Sequence, residues 1–215
     1  MNRTAIVTGA SSGIGAATVT RLLSEGWTVY ACARRTKLMA PLAAQGAITL
    51  ELDVTQDDSM QAVVDTVLRQ STRIDALINN AGYGSYGALE DVPIKEGRQQ
   101  FEVNVFGLAR LTQLVLPTMR TQGAGRIVNI TSIGGKIHEP LGSWYHATKF
   151  AVEGLSDCLR MEVKPFGIDV IVIQPGAIKT EWSVIAQQKV LECSGATAYA
   201  EQAKQRVSGW TGTST

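Results

Sequence analysis

An α/β fold with a doubly wound parallel sheet and helices on both faces follows from three features of the sequence. Six short apolar runs rich in β-branched residues recur through residue 173, without the strict alternation of half-exposed strands. The stretches between them are long enough for crossover helices. No internal repeat, low-complexity tract or composition shift divides the 215 residues, so one domain over 1–215 is expected.

The first run, 5–8, leads through a glycine-rich turn into a helix. There Val19, Leu22, Leu23 and Gly26 fall three or four apart, Arg21, Ser24 and Glu25 take the other side, and Gly26 closes the helix. The second to fourth runs are 28–31, 48–52 and 76–78. A long helical stretch over 94–120 then aligns Phe101, Val105, Leu108, Leu111, Thr112 and Val115, with Pro117 expected to kink or stop it. The fifth run is 126–130, a helix is expected over 144–164, and the sixth run is 169–173. Beyond Thr180, Val184, Ile185, Val190 and Leu191 suggest a short helix, and the polar residues 208–215 are expected to fray.

Composition narrows the function classes. Hydrophobic residues make up 45% and charged residues 18%, enough apolar material for a core without disulfides. Twenty Lys and Arg against nineteen Asp and Glu leave a net charge of +1 with no like-charge run, which argues against nucleic acid or an anionic membrane as partner. No apolar run approaches about 18 residues, so no membrane span is expected. Met1-Asn2-Arg3 leaves no room for a signal-peptide core before the first strand, so the expected location is cytoplasmic. Cys32, Cys158 and Cys193 lack paired spacing; they read as buried reduced thiols, and no metal site is expected.

Thr8-Gly9-Ala10-Ser11-Ser12-Gly13-Ile14-Gly15 lies where the first strand gives way to the first helix, the context of a Rossmann-type dinucleotide site. Gly9 permits the tight turn, Gly13 lets the backbone approach a pyrophosphate, and Gly15 lets the helix pack on the sheet with its free N–H groups toward the anion. Ser11 and Ser12 add hydroxyl donors. With G-x-x-x-G-x-G spacing, a plain strand-to-helix turn is the alternative.

At the end of the second strand, where an NAD site offers a carboxylate to the ribose, the chain reads Cys32-Ala33-Arg34-Arg35. Two guanidinium groups would pair with a 2′-phosphate, and a charge-assisted hydrogen bond contributes roughly 1.5–3 kcal/mol, which points to NADP. Alternatively they are solvated residues at a helix start, where their charge opposes the dipole. Asp53 could accept from an adenine amino group while Thr55 and Asp58 form a capping box.

Tyr145 and Lys149 lie four apart on a helix, one turn above each other. An ammonium about 4 Å from the phenol at an effective dielectric of about 20 would stabilise the phenolate by roughly 4 kcal/mol, bringing a pKa of about 10 close to neutrality. Such a phenol exchanges a proton with an alcohol or ketone oxygen. Ser132, thirteen residues earlier and just past the fifth strand, could hold that oxygen. His146 points about 100° away from Tyr145 and, like His138, is expected at a pocket edge or the surface.

Together with Asp53-Val54, Asn79-Asn80-Ala81-Gly82, Asn104-Val105-Phe106-Gly107 and Pro175-Gly176-Ala177-Ile178-Lys179-Thr180, these motifs resemble the single-domain branch of the short-chain dehydrogenase/reductase family, over residues 4–182. The resemblance implies an NADP(H)-dependent oxidoreductase that interconverts a secondary alcohol and a ketone or aldehyde. Tyr145 would be the proton donor or acceptor, Ser132 would orient the substrate, Lys149 would bind the nicotinamide ribose and lower the tyrosine pKa, and Asn104 would anchor a water. Asn80, Ala81 and Gly82 would border the adenine ribose, Ile178 and Thr180 would contact the carboxamide and phosphate side within the Pro175-Gly176 loop, and Arg34 holds the NADP-selecting position.

The resemblance also implies a small-molecule substrate and a homodimer or homotetramer joined through the helices of Asn104 and Tyr145. Segment 181–207 would cover the substrate side, and its Trp182, Val184 and Ile185 suggest an apolar ligand, steroid- or retinoid-like or another small carbonyl. Members of this branch usually reach about 250 residues with a seventh strand, for which this chain has no counterpart. The sixth strand should then be a sheet edge exposing Val170 and Val172. An NADP-binding regulator, or a truncated and catalytically weak remnant, is the alternative, and a sugar-nucleotide epimerase or dehydratase would need a substrate domain for which there is no room.

Overall fold

The computed structural model describes residues 2–178 and 181–212, with side chains over 2–178 and 184–209. The strands are β1 (Thr4–Thr8), β2 (Thr28–Ala33), β3 (Ile48–Glu51), β4 (Ala76–Asn79), β5 (Gly125–Ile130) and β6 (Ile168–Ile173). They form one sheet in the order β3-β2-β1-β4-β5-β6, and every neighbouring pair is parallel. The order reverses between β1 and β4, so connections diverge there and open a crevice at the carboxyl ends of the strands.

The period-two geometry of the strands sorts their side chains into two cores. Ile6, Tyr30, Leu77, Ile127 and Val170 face α3 (Asp57–Ser71), α5 (Gly107–Gln122) and α6 (Ser143–Val163). Ala5, Val7, Val29, Ala31 and Ile78 face α1 (Gly13–Ser24) and α2 (Ala40–Ala44). The first helix stops as its sequence indicates. Gly26, at φ +76, donates to Leu23 O while Trp27 N donates to Leu22 O, which satisfies two terminal carbonyls.

The long stretch over 94–120 divides elsewhere than expected. Pro117 lies inside α5, which continues to Gln122 with Leu111, Val115 and Met119 fully buried. Core burial on that face outweighs the one amide bond that proline removes. The irregularity falls earlier, in a π turn at Glu102–Phe106 between α4 (Ile94–Phe101) and α5. Three further expectations change. Asp57 starts α3 without a side-chain cap, because Asp53, not a Thr55/Asp58 box, organises the preceding turn. Val170 is buried and Val172 half-buried, and the apolar β6 residues left open are Ile171 and Ile173 on the opposite face. Cys32 alone of the three free thiols is buried, since Cys158 is exposed and Cys193 intermediate.

After β6 come α7 (Glu181–Ser194) and α8 (Ala200–Gly212), so residues 208–212 are helical where fraying was expected, and 213–215 lie outside the described residues. Docking of Ala203 and Val207 against a third cluster explains the longer helix. Among the described residues, no helix is long and apolar enough to cross a membrane and no group of metal-ligating side chains gathers.

Candidate active site

The turn between β1 and α1 is tight enough to require its glycines. A Cβ on Gly15 would lie 2.4 Å from Gly9 O, and one on Gly9 would lie 2.9 Å from Ala81 Cα. Gly9 and Gly13 adopt φ of +65 and +54, the left-handed region that favours glycine. Ser12 precedes α1 without capping it through its side chain, and the first turn of α1 holds no acidic residue. The loop therefore turns backbone N–H groups of Gly13, Ile14 and Gly15 outward, a cradle shaped for an anion. Arg35 reaches across it, with Nη2 3.2 Å from Ser11 Oγ and 3.1 Å from Ser12 Oγ. Arg34, beside it at the end of β2, is exposed. These residues fit a dinucleotide phosphate.

Two neighbouring loops flank this cradle. Asp53 Oδ1 accepts from Thr55 N and Oγ1 at 2.9 and 2.8 Å, which fixes the turn that carries Val54. Asn80 ties the loop after β4 to the glycine turn, its Nδ2 donating to Thr8 O at 3.0 Å and Gly9 O at 3.2 Å. Thr8 Oγ1 accepts from the amides of Asn80 and Ala81 at 3.0 and 2.9 Å. Gly82 follows, so close to Asn104 that a Cβ there would meet its Oδ1 at 3.1 Å.

Asn104, buried in the π turn, bridges that loop to α6. Its Oδ1 accepts from Tyr83 N at 3.0 Å, and its Nδ2 donates to Tyr83 O at 2.9 Å and Thr148 Oγ1 at 3.1 Å. A wider turn displaces backbone from the regular α ladder, a distortion found mostly at functional sites.

Tyr145 and Lys149 come together on α6, with Lys149 reaching the carboxyl end of β5. The Ser132 hydroxyl neighbours the Tyr145 phenol and favours its ionised form. Ser132 Oγ in turn accepts from Gly134 N at 3.0 Å. Lys149 Nζ donates to Ile130 O at 3.1 Å and lies 5.7 Å from the Tyr145 ring centre. The expected depression of the Tyr145 pKa is not what this geometry produces. Burial raises it above 10, the neighbouring Ser132 hydroxyl opposes that, and the Glu139 carboxylate adds to the rise. The ammonium addresses a backbone carbonyl and lies 5.7 Å from the ring centre, and desolvation of the phenol wins. Burial also lowers Lys149 to about 8, partly offset by Glu153.

Two polar residues missed at the sequence level hold this group. Glu153, one turn beyond Lys149, is buried and accepts from Thr131 Oγ1 at 2.6 Å, from Gln174 Nε2 at 2.8 Å and from Lys136 Nζ at 3.1 Å. It thereby joins the loop that carries Ser132 to the loop of Pro175 and Gly176. The spacing Tyr145, Lys149, Glu153 was the available signal. His146, expected at an edge or the surface, is buried because its ring turns sideways under the Ser132 loop, with Nδ1 2.9 Å from Gly134 O. His138 is exposed.

The Pro175 loop is linked by Pro175 O, which accepts from Ile133 N at 3.1 Å, while Gly176 and Ile178 are exposed and Thr180 lies outside the described residues. Helices α7 and α8 close over Tyr145. Ala186, Val190 and Ala203 pack with Tyr86, Ala88, Leu141 and Tyr145. Val184 and Ile185 point outward instead, and the side chain of Trp182 lies outside the described residues. Asp91 holds the α7–α8 junction by accepting from Ser194 Oγ at 2.7 Å and Thr197 Oγ1 at 2.8 Å.

Comparison with known proteins matches residues 3–190 to a family model described as short chain dehydrogenase. A probable short-chain type dehydrogenase/reductase, VdlC, of Helicobacter pylori is 39% identical over 182 residues, covering 85% of this chain and 67% of that one. A 3-ketodihydrosphingosine reductase of Bacteroides thetaiotaomicron is 42% identical over 176 residues, covering 81% and 64%. The chain thus spans about two thirds of the length of these relatives. The crystal structure of a short chain dehydrogenase/reductase from Burkholderia phymatum in complex with NAD superposes with a TM-score of 0.86 at 25% identity, covering 99% of this chain and 80% of that one.

Proposed function

Because the chain belongs to the short-chain dehydrogenase family, we propose that it is an NADP(H)-dependent oxidoreductase that interconverts a secondary alcohol and a ketone or aldehyde. The observation that carries this reading is the gathering of Ser132, Tyr145 and Lys149, with the Lys149 ammonium 5.7 Å from the Tyr145 ring and the Ser132 hydroxyl next to its phenol. A nicotinamide dinucleotide, the cofactor in the complex of the Burkholderia relative, supplies hydride chemistry when bound. Gly9, Ser11, Ser12, Gly13, Ile14 and Gly15 hold its pyrophosphate, and Arg34 and Arg35 take the 2′-phosphate. Asp53, Val54, Asn80, Ala81 and Gly82 border the adenosine side, and Pro175, Gly176, Ile178 and Thr180 border the nicotinamide side.

Tyr145 is the general acid and base. Its raised pKa keeps the phenol protonated at neutral pH, ready to donate to a carbonyl oxygen that Ser132 also holds. Lys149, at about 8, exchanges a proton near working pH and contacts the nicotinamide ribose. Asn104 supports the chain of proton exchange from the π turn. The 3-ketodihydrosphingosine reductase among the relatives, with the Tyr86, Leu141 and Val190 lining beside Tyr145, supports an apolar carbonyl substrate covered by 181–207. Exposed Phe106 and Phe150 on the helical stretch of Asn104 and on α6 support a homodimer or homotetramer, which sedimentation at micromolar concentration tests.

The deciding experiment follows NADPH oxidation with a panel of apolar ketones. The protein turns over, and Tyr145→Phe lowers kcat by about 10²–10⁴-fold while NADPH binding by fluorescence stays within about threefold. Full turnover in Tyr145→Phe overturns the reading.

A further inference from the structure

We infer that His146 is a positioning residue that aims the Ser132 hydroxyl at Tyr145, acting through the backbone of Gly134. The inference rests on the reading of Tyr145 as the proton-transfer group. His146 is 5% exposed, and its Nδ1 lies 2.9 Å from Gly134 O across twelve residues of chain. A carbonyl oxygen only accepts, so Nδ1 carries the proton and donates it. The same Gly134 donates its N–H to Ser132 Oγ at 3.0 Å. A serine hydroxyl has one proton, and an oxygen already accepting from Gly134 keeps that proton for its other neighbour. That neighbour is the Tyr145 phenol.

Packing shows how closely the three groups depend on one another. A Cβ on Gly134 would stand 3.1 Å from both His146 Nδ1 and Tyr145 Cε1, so the loop rests on both rings at once. From the other side Gly142 leaves just enough room for the imidazole, since a Cβ there would lie 2.7 Å from its Cδ2. His146 Nε2 is enclosed and meets no hydrogen-bond partner among the described residues. The ring therefore donates on one side only. A residue with no donor at 146 would leave Gly134 O unmet and free the loop that orients Ser132.

The test compares His146→Asn, whose amide nitrogen can stand where Nδ1 stands, with His146→Leu, which has bulk but no donor. In ketone reduction His146→Leu lowers kcat about tenfold or more while the KM for NADPH stays within about threefold, and His146→Asn restores kcat to within about threefold of wild type. Equal kcat in the two variants overturns the inference. Nitrogen NMR of wild-type protein labelled on histidine is a readout that needs no variant and no turnover, and only His138 and His146 contribute. A neutral Nδ1–H ring for His146 supports the inference, and an Nε2–H ring overturns it. If Tyr145→Phe keeps full turnover, the functional reading fails and takes this inference with it. If Tyr145→Phe is inactive while His146→Leu matches wild type, this inference alone fails.

Discussion

Tyr86 stacks on Tyr145 with ring centres 5.3 Å apart and planes inclined by 34°. The Arg206 guanidinium of α8 lies 5.7 Å from the centre of the Tyr86 ring and pairs with Glu139. The ring proposed to move a proton is thereby coupled to the last helix through one aromatic contact and one cation.

That coupling predicts the behaviour of the cover. Arg206 is mostly buried but Glu139 is 41% exposed, so the pair contributes on the order of 1 kcal/mol after solvent screening. Arg206→Ala should speed amide exchange across 199–212 and raise the substrate KM. The melting temperature should fall by no more than about 2–4 °C. Exchange unchanged in that segment would show that α8 is held by apolar packing alone.

Arg34 and Arg35 set the expected cofactor preference. Removing either charge-assisted contact should weaken NADPH binding about ten- to a hundredfold and leave NADH binding within about threefold. Arg35→Ala also frees Ser11 and Ser12. Fluorescence titration with both nucleotides reads the ratio, and parallel losses for the two would place these arginines away from the 2′-phosphate.

Glu153 joins the loops of Thr131, Gln174 and Lys136. Glu153→Ala leaves the buried Thr131 hydroxyl only Ile173 O as acceptor and releases the exposed Gln174 amide and Lys136, a loss of about 1–3 kcal/mol. Glu153→Gln keeps one acceptor oxygen and should lose less. Urea unfolding of the two variants separates them, and equal midpoints would contradict the assigned contacts.

Lys149 predicts a pH dependence of defined sign. Its pKa falls from 10.5 when unfolded to about 8 when folded, so between these values the unfolded chain binds more protons and folding gains stability as pH rises. Below pH 8 the buried ammonium is a full penalty, up to about 3 kcal/mol, less the value of its bond to Ile130 O. Lys149→Met should therefore be inactive yet more stable than wild type at pH 7, and that advantage should shrink from pH 8 to 10.5. Denaturant midpoints at pH 7, 9 and 10 measure it.

The six strands were legible because parallel, doubly buried strands are written as short apolar runs, and each observed strand lies within two residues of its run. The pairing of Tyr145 with Lys149 was legible for a similar reason, since a spacing of four has only one meaning on a helix. What escaped depends on contacts distant in sequence. His146 is buried by a loop twelve residues earlier, and Glu153 meets Gln174 from β6's end. The tyrosine pKa was misjudged because a spacing of four fixes the face but not where the ammonium points. Val184 and Ile185 looked inward because hydrophobicity alone does not say which side of α7 touches Tyr86.

The π turn at Glu102–Phe106 acts as a change of phase within one continuous rod. One residue more than an α turn rotates everything before it by about 100° relative to everything after. Upstream, Gly97 meets the Trp144 indole, which a Cβ would approach to 2.6 Å, and Phe101 packs edge-on against the same ring at 6.3 Å. Downstream, Leu111, Val115 and Met119 address the sheet. A single-residue deletion inside the turn, harmless to composition and hydropathy, would swing Gly97 off the indole and withdraw Asn104 from Tyr83 in one movement. At this point in the chain, length itself is under structural constraint.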